Sequence, residues 1–192
     1  MCGIVGGITS KNITPLLLDG LKRLEYRGYD SSGLVILSQG NKLVRERAAG
    51  KVSNLENNLK RIKPSLKGNV GLAHTRWATH GKPSVDNAHP HISKNSLSVV
   101  HNGIIENYID LKDLQMKQGY EFTSETDTEV IAHAIESAIK PSDSLLKATQ
   151  KAIKALNGSY GIGVLSSKYP DQIIAARKDS PLVIGIGDNG NY

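Results

Sequence analysis

The sequence has 192 residues, of which 39% are hydrophobic and 22% charged, and this composition is typical of a globular protein with a buried core. Its apolar runs are too short for a transmembrane helix, so we expect no membrane partner. The net charge of +6 comes from scattered Lys and Arg, and aromatic residues are only 5%, so we expect no nucleic-acid partner. A single cysteine and the absence of a visible signal peptide predict a reducing, cytoplasmic location.

The chain begins with Met1, Cys2 and Gly3, and the apolar run at residues 4–8 predicts a buried strand. Removal of Met1 would leave a thiol and a free α-amine on Cys2. A thiol with a pKa near 8.5 needs a base at neutral pH, and an α-amine with a pKa of roughly 7.7–8.0 can take its proton. Cys2 is therefore a candidate N-terminal nucleophile. The alternative is an ordinary small second residue before an edge strand.

Caps, periodicity and turn residues predict the other elements. Thr14, which precedes a proline, predicts a helix cap. Ser53 with Glu56, and Thr126 with Glu129, predict capping boxes. The elements expected in order are a helix at 14–26, a β-hairpin at 33–47, a helix from 53, strands at 70–75 and 97–100, helices at 107–118, 126–138 and about 142–156, and strands at 160–166, 173–177 and 182–186.

One polar stretch starts where a predicted strand ends. Arg76 and Trp77 open a segment to residue 95 that has no periodicity, and loops of that length are usually functional. An arginine there can hold a carboxylate through two hydrogen bonds, and a tryptophan can close over a small ligand. The alternative is a surface arginine beside a core tryptophan.

Two further polar stretches follow. Asn102 and Gly103 lie inside an apolar run, where they predict a break in a strand. The Asn amide and the Gly N–H can point at one oxyanion, and the alternative is a bulge or a hairpin turn. Asp127 is predicted in the first turn of a helix, where it faces an ammonium group or simply complements the helix dipole.

Together these stretches describe a thiol that attacks an amide. Arg76 and Asp127 would grip the carboxylate and the ammonium group of a zwitterion, and Asn102 with Gly103 would stabilise the oxyanion. The sequence has no zinc-type ligand spacing and no glycine-rich phosphate loop, so we expect no metal and no other cofactor.

Six segments resemble class II glutamine amidotransferases. They are Cys-Gly-Ile-Val-Gly at 2–6, Leu-Glu-Tyr-Arg-Gly-Tyr-Asp-Ser at 24–31, His-Thr-Arg-Trp-Ala-Thr-His-Gly at 74–81, His-Pro-His at 89–91, His-Asn-Gly-Ile-Ile-Glu-Asn at 101–107 and Ser-Glu-Thr-Asp-Thr-Glu-Val at 124–130. The chain is most similar to the branch that aminates fructose 6-phosphate. The resemblance implies an α+β N-terminal nucleophile hydrolase fold, a four-layer αββα sandwich with two central antiparallel sheets.

The resemblance also implies a reaction and a site. Cys2 would attack L-glutamine with its own amine as base, and a γ-glutamyl thioester would lead to glutamate and ammonia. The other implied roles are carboxylate binding by Arg76, ammonium binding by Asp127, an oxyanion hole of Asn102 and Gly103, a closing loop with Trp77, Thr79 and His80, and orientation of the amine by Arg27 and Gly28.

By the same resemblance, residues 1–192 are one type-2 glutamine amidotransferase domain that lacks several C-terminal strands, which could leave one edge of the sandwich open. The isomerase domain that would use the ammonia to convert fructose 6-phosphate to glucosamine 6-phosphate is absent, and the full-length enzyme would be a homo-oligomer. Two alternatives remain open, namely the glutaminase of another class II amidotransferase and an inactive or regulatory glutamine-binding module.

Overall fold

The computed structural model describes residues 2–61, 66–140 and 143–192. In chain order the elements are strand β1 (Gly3–Thr9), helix α1 (Thr14–Leu24), strands β2 (Ser31–Ser38) and β3 (Lys42–Ala49), helix α2 (Val52–Arg61), strands β4 (Val70–Arg76), β5 (His91–Ser93) and β6 (Leu97–Ile105), helices α3 (Tyr108–Lys117), α4 (Glu129–Ala138) and α5 (Leu145–Ile153), and strands β7 (Gly158–Ser166), β8 (Tyr169–Lys178), β9 (Ile186–Gly187) and β10 (Gly190–Asn191). Within the described ranges, no helix has the length and apolar character needed to span a bilayer.

The strands form two antiparallel sheets. The first sheet has the order β3-β2-β4-β1-β10-β9, and the second has the order β5-β6-β7-β8. The predicted hairpin at 33–47 is confirmed by β2 and β3, which pair over their full length. It turns at Gly40, whose φ of 73° lies in the left-handed region that favours glycine.

Strand β2 shows how the layers are built, because its apolar side chains alternate between two cores. Leu34 and Ile36 belong to the cluster that packs against α1 and α2. Val35 and Leu37 belong to a second cluster, which includes Val100 of the other sheet. The first sheet therefore has helices on one face and the second sheet on the other.

The second sheet repeats this arrangement. Leu97 and Val99 of β6 pack with α4 and α5, and Leu165 of β7 packs into the cluster between the sheets. The order of layers is helices, sheet, sheet, helices, and it confirms the expected αββα sandwich.

The predicted caps of the first two helices are wrong, because both helices begin earlier than the caps require and because Thr14 and Glu56 have tertiary partners. Thr14 is the first residue of α1 rather than its cap, and its hydroxyl donates to the Leu66 carbonyl oxygen, 3.1 Å away. Ser53 lies inside α2. The Glu56 carboxylate forms an ion pair of 2.9 Å with Lys22 of α1, so it bridges the two helices.

Two predictions around the second sheet also fail. Helix α4 begins at Glu129, so Thr126 is not its cap and Asp127 precedes its first turn. Strand β6 continues through Asn102 and Gly103, which pair with β7, so the predicted break, bulge or turn is absent there. The φ of 138° at Gly103 lets the strand continue, and a Cβ there would lie 2.1 Å from a backbone oxygen of β7.

The predicted helix at 107–118 is confirmed as α3, and Gly119 follows it with a φ of 86°. Helix α5 begins later than expected, with Ser144 as its cap; Ser142 lies outside the described residues. Strands β7 and β8 confirm two of the three predicted C-terminal strands. The third is wrong, because residues 182–184 have no partner strand among the described residues, and regular pairing begins only where Gly185 exchanges two hydrogen bonds with Tyr192.

Candidate active site

The central strands of both sheets bring the candidate residues together. The antiparallel register of β1 and β4 pairs Gly3 with Thr75, so that Cys2, just before β1, lies beside Arg76, at the end of β4. Strand β6 of the second sheet carries Asn102, whose Oδ1 lies 2.9 Å from Nε2 of His74 on β4. Residues far apart in the chain therefore meet where these strands end.

A cavity of about 10 Å³ lies at this meeting point. Seven of the predicted site residues line it: Cys2, Arg76, Trp77, Thr79, His80, Gly103 and Asp127. The space is enough for about one water molecule. Asn102 is not among the residues that line the cavity, and its Oδ1 bonds to His74. Arg27 and Gly28 are not part of the wall.

The Cys2 sulfur is held by the backbone of Trp77. The Trp77 N–H donates to Sγ at 3.2 Å, and the Sγ–H can donate to the Trp77 carbonyl oxygen at 3.6 Å. Burial raises the pKa of the Cys2 thiol, and the Trp77 N–H lowers it by a smaller amount. The thiol is therefore protonated at neutral pH and needs a base to react. Met1 lies outside the described residues, so the role of the α-amine stays a prediction.

Arg76 is buried, with 3% of its surface exposed, so it is not a surface arginine. Its guanidinium donates to the carbonyl oxygens of His80, Gly81 (3.1 Å) and Lys82 (3.4 Å). These bonds fold the start of the loop over the cavity. Trp77 is 54% exposed, so it is not a core tryptophan.

Asp30 is a site residue that sequence reasoning missed. Its backbone N–H donates to the Arg76 carbonyl oxygen at 2.7 Å, and its carboxylate accepts from the Ala78 N–H. The carboxylate also lies 3.7 Å from the Arg76 guanidinium. Asp30 thus fixes both the end of β4 and the first turn of the loop. The signal was its place in the Tyr-Arg-Gly-Tyr-Asp segment, which no local pattern explains.

Gly28 has a left-handed backbone that favours glycine and lies close to the Trp77 ring. It has a φ of 75°, and a Cβ on it would lie 2.8 Å from the indole ring. Arg27 ends the short 3₁₀ turn Glu25–Arg27 just before it. The close approach of Gly28 to the ring sets where the indole lies above the site.

Asp127 lies in the segment that precedes α4 and is held by the end of β6. Its Oδ2 accepts from the Ile105 N–H at 2.8 Å, and only 4% of its surface is exposed. The Glu129 carboxylate accepts hydrogen bonds of 2.7–3.1 Å from four donors, the N–H and hydroxyl groups of Thr123 and Ser124. This anchoring explains why Glu129 does not form a capping box, and it fixes the loop that carries Asp127.

The histidines form a second feature that local patterns did not reveal. Five of the six histidines lie between residues 74 and 101. His74, His89 and His101 are buried and are joined in one chain of hydrogen bonds that includes Thr128. In the part of the chain that the structure describes, no three His, Cys, Asp or Glu side chains are grouped as metal ligands.

The arrangement suits a small zwitterion. The cavity is lined by a buried cation, Arg76, by a buried carboxylate, Asp127, and by Cys2. Charge-assisted hydrogen bonds in such a buried site are strong. A ligand held at both ends would present its side chain to the sulfur.

The sequence of this chain is similar to those of known glutamine amidotransferases. The family model of the glutamine amidotransferase domain matches residues 74–190. The chain is 53% identical to glutamine–fructose-6-phosphate aminotransferase (isomerizing) of Pseudomonas putida and 52% identical to that of Haemophilus influenzae. Both matches cover the whole chain, which spans 31% of each relative.

Solved structures show the same fold. The glutamine phosphoribosylpyrophosphate amidotransferase of B. subtilis superposes with a TM-score of 0.81 at 25% identity, over 100% of this chain and 41% of that one. An allosteric regulatory enzyme of purine biosynthesis superposes with a TM-score of 0.79 at 28% identity, over 98% of this chain and 41% of that one. The αββα sandwich is thus the N-terminal nucleophile hydrolase fold of amidotransferases, and the chain belongs to the glutamine amidotransferase domain family.

Proposed function

We propose that this chain hydrolyses L-glutamine to L-glutamate and ammonia through a γ-glutamyl thioester on Cys2. The observation that carries the proposal is the shared cavity of Cys2, Arg76 and Asp127, in which a thiol faces two buried groups of opposite charge. Arg76 would bind the α-carboxylate of glutamine and Asp127 its α-ammonium group. The side-chain carboxamide would then reach Sγ.

Glutamine entry requires the loop to move. A cavity of about 10 Å³ holds about one water molecule, and the Arg76 guanidinium is occupied by the carbonyl oxygens of His80 and Gly81. A glutamine carboxylate would replace those acceptors. The segment that carries Trp77, Thr79 and His80 would shift outward to admit the substrate and then close over it.

The chemistry begins once Met1 is removed. The Cys2 α-amine takes the thiol proton as Sγ attacks the carboxamide carbon. The oxyanion of the tetrahedral intermediate accepts hydrogen bonds from Asn102 Nδ2 and the Gly103 N–H. The amine returns the proton to the leaving nitrogen, and ammonia departs. Water then attacks the thioester, again with the amine as base, and releases glutamate and the thiol.

Arg27 and Gly28 would orient this amine. The turn that contains them packs against Trp77, whose backbone in turn contacts the Cys2 sulfur. A terminus held between these groups would keep the amine close to its own thiol.

Because a thiol nucleophile must stay reduced, we propose a cytoplasmic location.

The ammonia acceptor is proposed from the relatives. The chain spans 31% of proteins named for the amination of fructose 6-phosphate, to which it is 52–53% identical. We propose that residues 1–192 are the glutaminase part of such an enzyme. Its ammonia would convert fructose 6-phosphate to glucosamine 6-phosphate on a separate isomerase domain.

The test is ammonia release from L-glutamine by protein whose N-terminus has been sequenced. Protein that begins at Cys2 should release ammonia and glutamate in equal amounts, and protein that retains Met1 should release neither. Cys2→Ala should bind glutamine in calorimetry without turnover. Binding without ammonia release by the trimmed wild type would contradict the proposal and favour a regulatory glutamine-binding module.

A further inference from the structure

A series of buried side chains, joined by hydrogen bonds, leads away from Asn102. His74 Nε2 lies 2.9 Å from Asn102 Oδ1, and His74 Nδ1 lies 3.2 Å from Nδ1 of His89. The other nitrogen of His89 lies 2.7 Å from the Thr128 hydroxyl, which lies 2.9 Å from Nδ1 of His101. The three imidazoles are at most 5% exposed. This hydrogen-bonded series thus connects the space between the sheets with the start of α4.

One carbonyl oxygen determines which group donates and which accepts in every hydrogen bond of this series. His74 Nε2 also lies 3.0 Å from the His101 backbone oxygen, which can only accept. Nε2 of His74 must therefore carry the proton. Burial lowers the pKa of His74 to about 3, so the ring is neutral and its Nδ1 is an acceptor. His89 must then donate through Nδ1.

The remaining bonds follow in turn. Burial also lowers the pKa of His89 and of His101, so both rings are neutral. His89 Nε2 accepts from the Thr128 hydroxyl, and that oxygen accepts from Nδ1–H of His101. Each of the four hydrogen bonds in the series therefore has one donor proton, three from imidazoles and one from the hydroxyl. His101 Nε2 is left without a proton; the Ser159 backbone lies near enough to raise the pKa of His101, but no group among the described residues meets hydrogen-bonding geometry with this nitrogen.

This direction has a consequence for Asn102. Because His74 donates, the Asn102 atom that faces it must be the acceptor Oδ1 rather than the amide nitrogen. A carboxamide that could rotate would present oxygen or nitrogen to the active site with similar ease. The bond from His74 removes that choice and leaves Nδ2 as the edge that donates elsewhere.

We propose that His74 is a positioning residue for the oxyanion hole: its Nε2–H holds Asn102 Oδ1, so that Asn102 Nδ2 faces the oxyanion that forms on the substrate. His89 and Thr128 keep His74 in the donating tautomer. The inference rests on the proposed function, because it assumes that Asn102 donates to the intermediate. Since the oxyanion exists only during the reaction, His74 should affect kcat more than KM.

The test compares His74→Gln with His74→Asn. Glutamine can place an amide N–H where Nε2 stands, whereas the shorter asparagine reaches only the Nδ1 position. We expect kcat for glutamine hydrolysis to fall about 10- to 100-fold in His74→Asn and to stay within about threefold in His74→Gln, because loss of one oxyanion donor reduces kcat about 10²- to 10³-fold. KM should change little in either variant. His133→Asn is the matched control, since His133 is also buried but bonds to Ser93; its kcat should stay within about twofold of wild type.

A cycle with Asn102→Ala separates the outcomes. If His74 acts through Asn102, His74→Asn should lower kcat by less than about threefold in the Asn102→Ala background. Equal losses in both backgrounds, or equal losses in His74→Gln and His74→Asn, would overturn the inference, as would a wild-type kcat in His74→Asn. If Asn102→Ala itself keeps the full rate, the oxyanion role in the proposed function fails. If Asn102→Ala is slow and His74→Asn is not, only the inference about His74 fails.

Discussion

Among single residues, Arg76 and Asp127 show how the protein stabilises two buried charges in the site before substrate binds. An unpaired buried charge costs several kcal/mol, so each must be compensated within the protein. Arg76 donates to loop carbonyl oxygens and lies 3.7 Å from the Asp30 carboxylate, and Asp127 accepts from the Ile105 N–H. The two compensations differ in kind. The arginine is held by loop carbonyl oxygens and by the Asp30 carboxylate, whereas the aspartate is held by a backbone N–H at the end of β6.

Replacing Asp127 by Asn tests the ammonium site. Asparagine keeps an oxygen that can accept from Ile105, so the fold should persist, but the negative charge is lost. We expect kcat/KM for glutamine to fall about 10- to 100-fold, because a hydrogen bond to a charged group contributes about 1.5–3 kcal/mol. Asp19→Asn removes an exposed carboxylate paired with Arg23 and is the control. An Asp127→Asn enzyme with the wild-type kcat/KM would contradict the assignment.

Individual site residues could be predicted to different extents. Cys2, Arg76 and Asp127 were predicted because their chemistry is explicit in the residue types and in the segments that surround them. The histidine chain was not predicted. Its bonds join residues 15–39 positions apart, and they depend on how β4 of one sheet packs against β6 of the other and on the position of the α4 start.

At the scale of elements, the predictions succeeded where sequence periodicity determines the element and failed where a tertiary partner determines the role of a side chain. The β2–β3 hairpin and α3 follow from alternation and turn residues, and both are present. The capping boxes at Ser53 and Thr126 failed because the acidic member of each pair had a better partner. Glu56 pairs with Lys22, and Glu129 anchors Thr123 and Ser124.

Glu129→Gln tests the anchor before α4. An amide nitrogen in place of one carboxylate oxygen cannot accept, so at least one of the four donors should lose its partner. We expect the free energy of unfolding in urea to fall by about 1–3 kcal/mol and KM for glutamine to rise, because this segment carries Asp127. Glu121→Gln, at an exposed position of the same connection, is the control. A variant with unchanged stability and KM would show that the anchor is dispensable.

For the whole molecule, buried neutral histidines couple stability to pH. Burial lowers the pKa of five histidines: His74, His89, His91, His101 and His133. An unfolded histidine has a pKa of about 6.5. Below that value the unfolded chain takes up protons that the folded chain does not, so the stabilisation is present above pH 6.5 and is lost as pH falls.

We therefore expect the free energy of unfolding to drop by about 1.4 kcal/mol for each fully buried histidine between pH 7.5 and pH 5.5. Urea titrations at both values measure the drop. His74→Gln removes one of these groups, so its drop should be smaller by about the same amount. Equal stability of the wild-type protein at the two pH values would contradict neutral burial of these rings.

The paired alternation of predicted helices and strands already indicates two packed sheets with helices outside them, and the resemblance specifies the αββα sandwich. Alternation on β2 becomes informative only when both of its faces are known to be covered. The expected strand at 182–186 shows the converse. Its apolar residues are suited to a strand, yet Val183 and Ile184 are 86% and 70% exposed, because the described residues provide no neighbour for them.

The central claim is that one terminal residue supplies both the sulfur that attacks glutamine and the amine that activates it. The most direct measurement is intact-protein and peptide mass spectrometry after incubation with a glutamine-like diazoketone, on protein that begins at Cys2 and on protein that retains Met1. The account predicts a single adduct on Cys2 of the trimmed protein, its suppression by excess L-glutamine, and no adduct when Met1 is retained. An unmodified Cys2 in the trimmed protein, or equally fast labelling with Met1 in place, would contradict it.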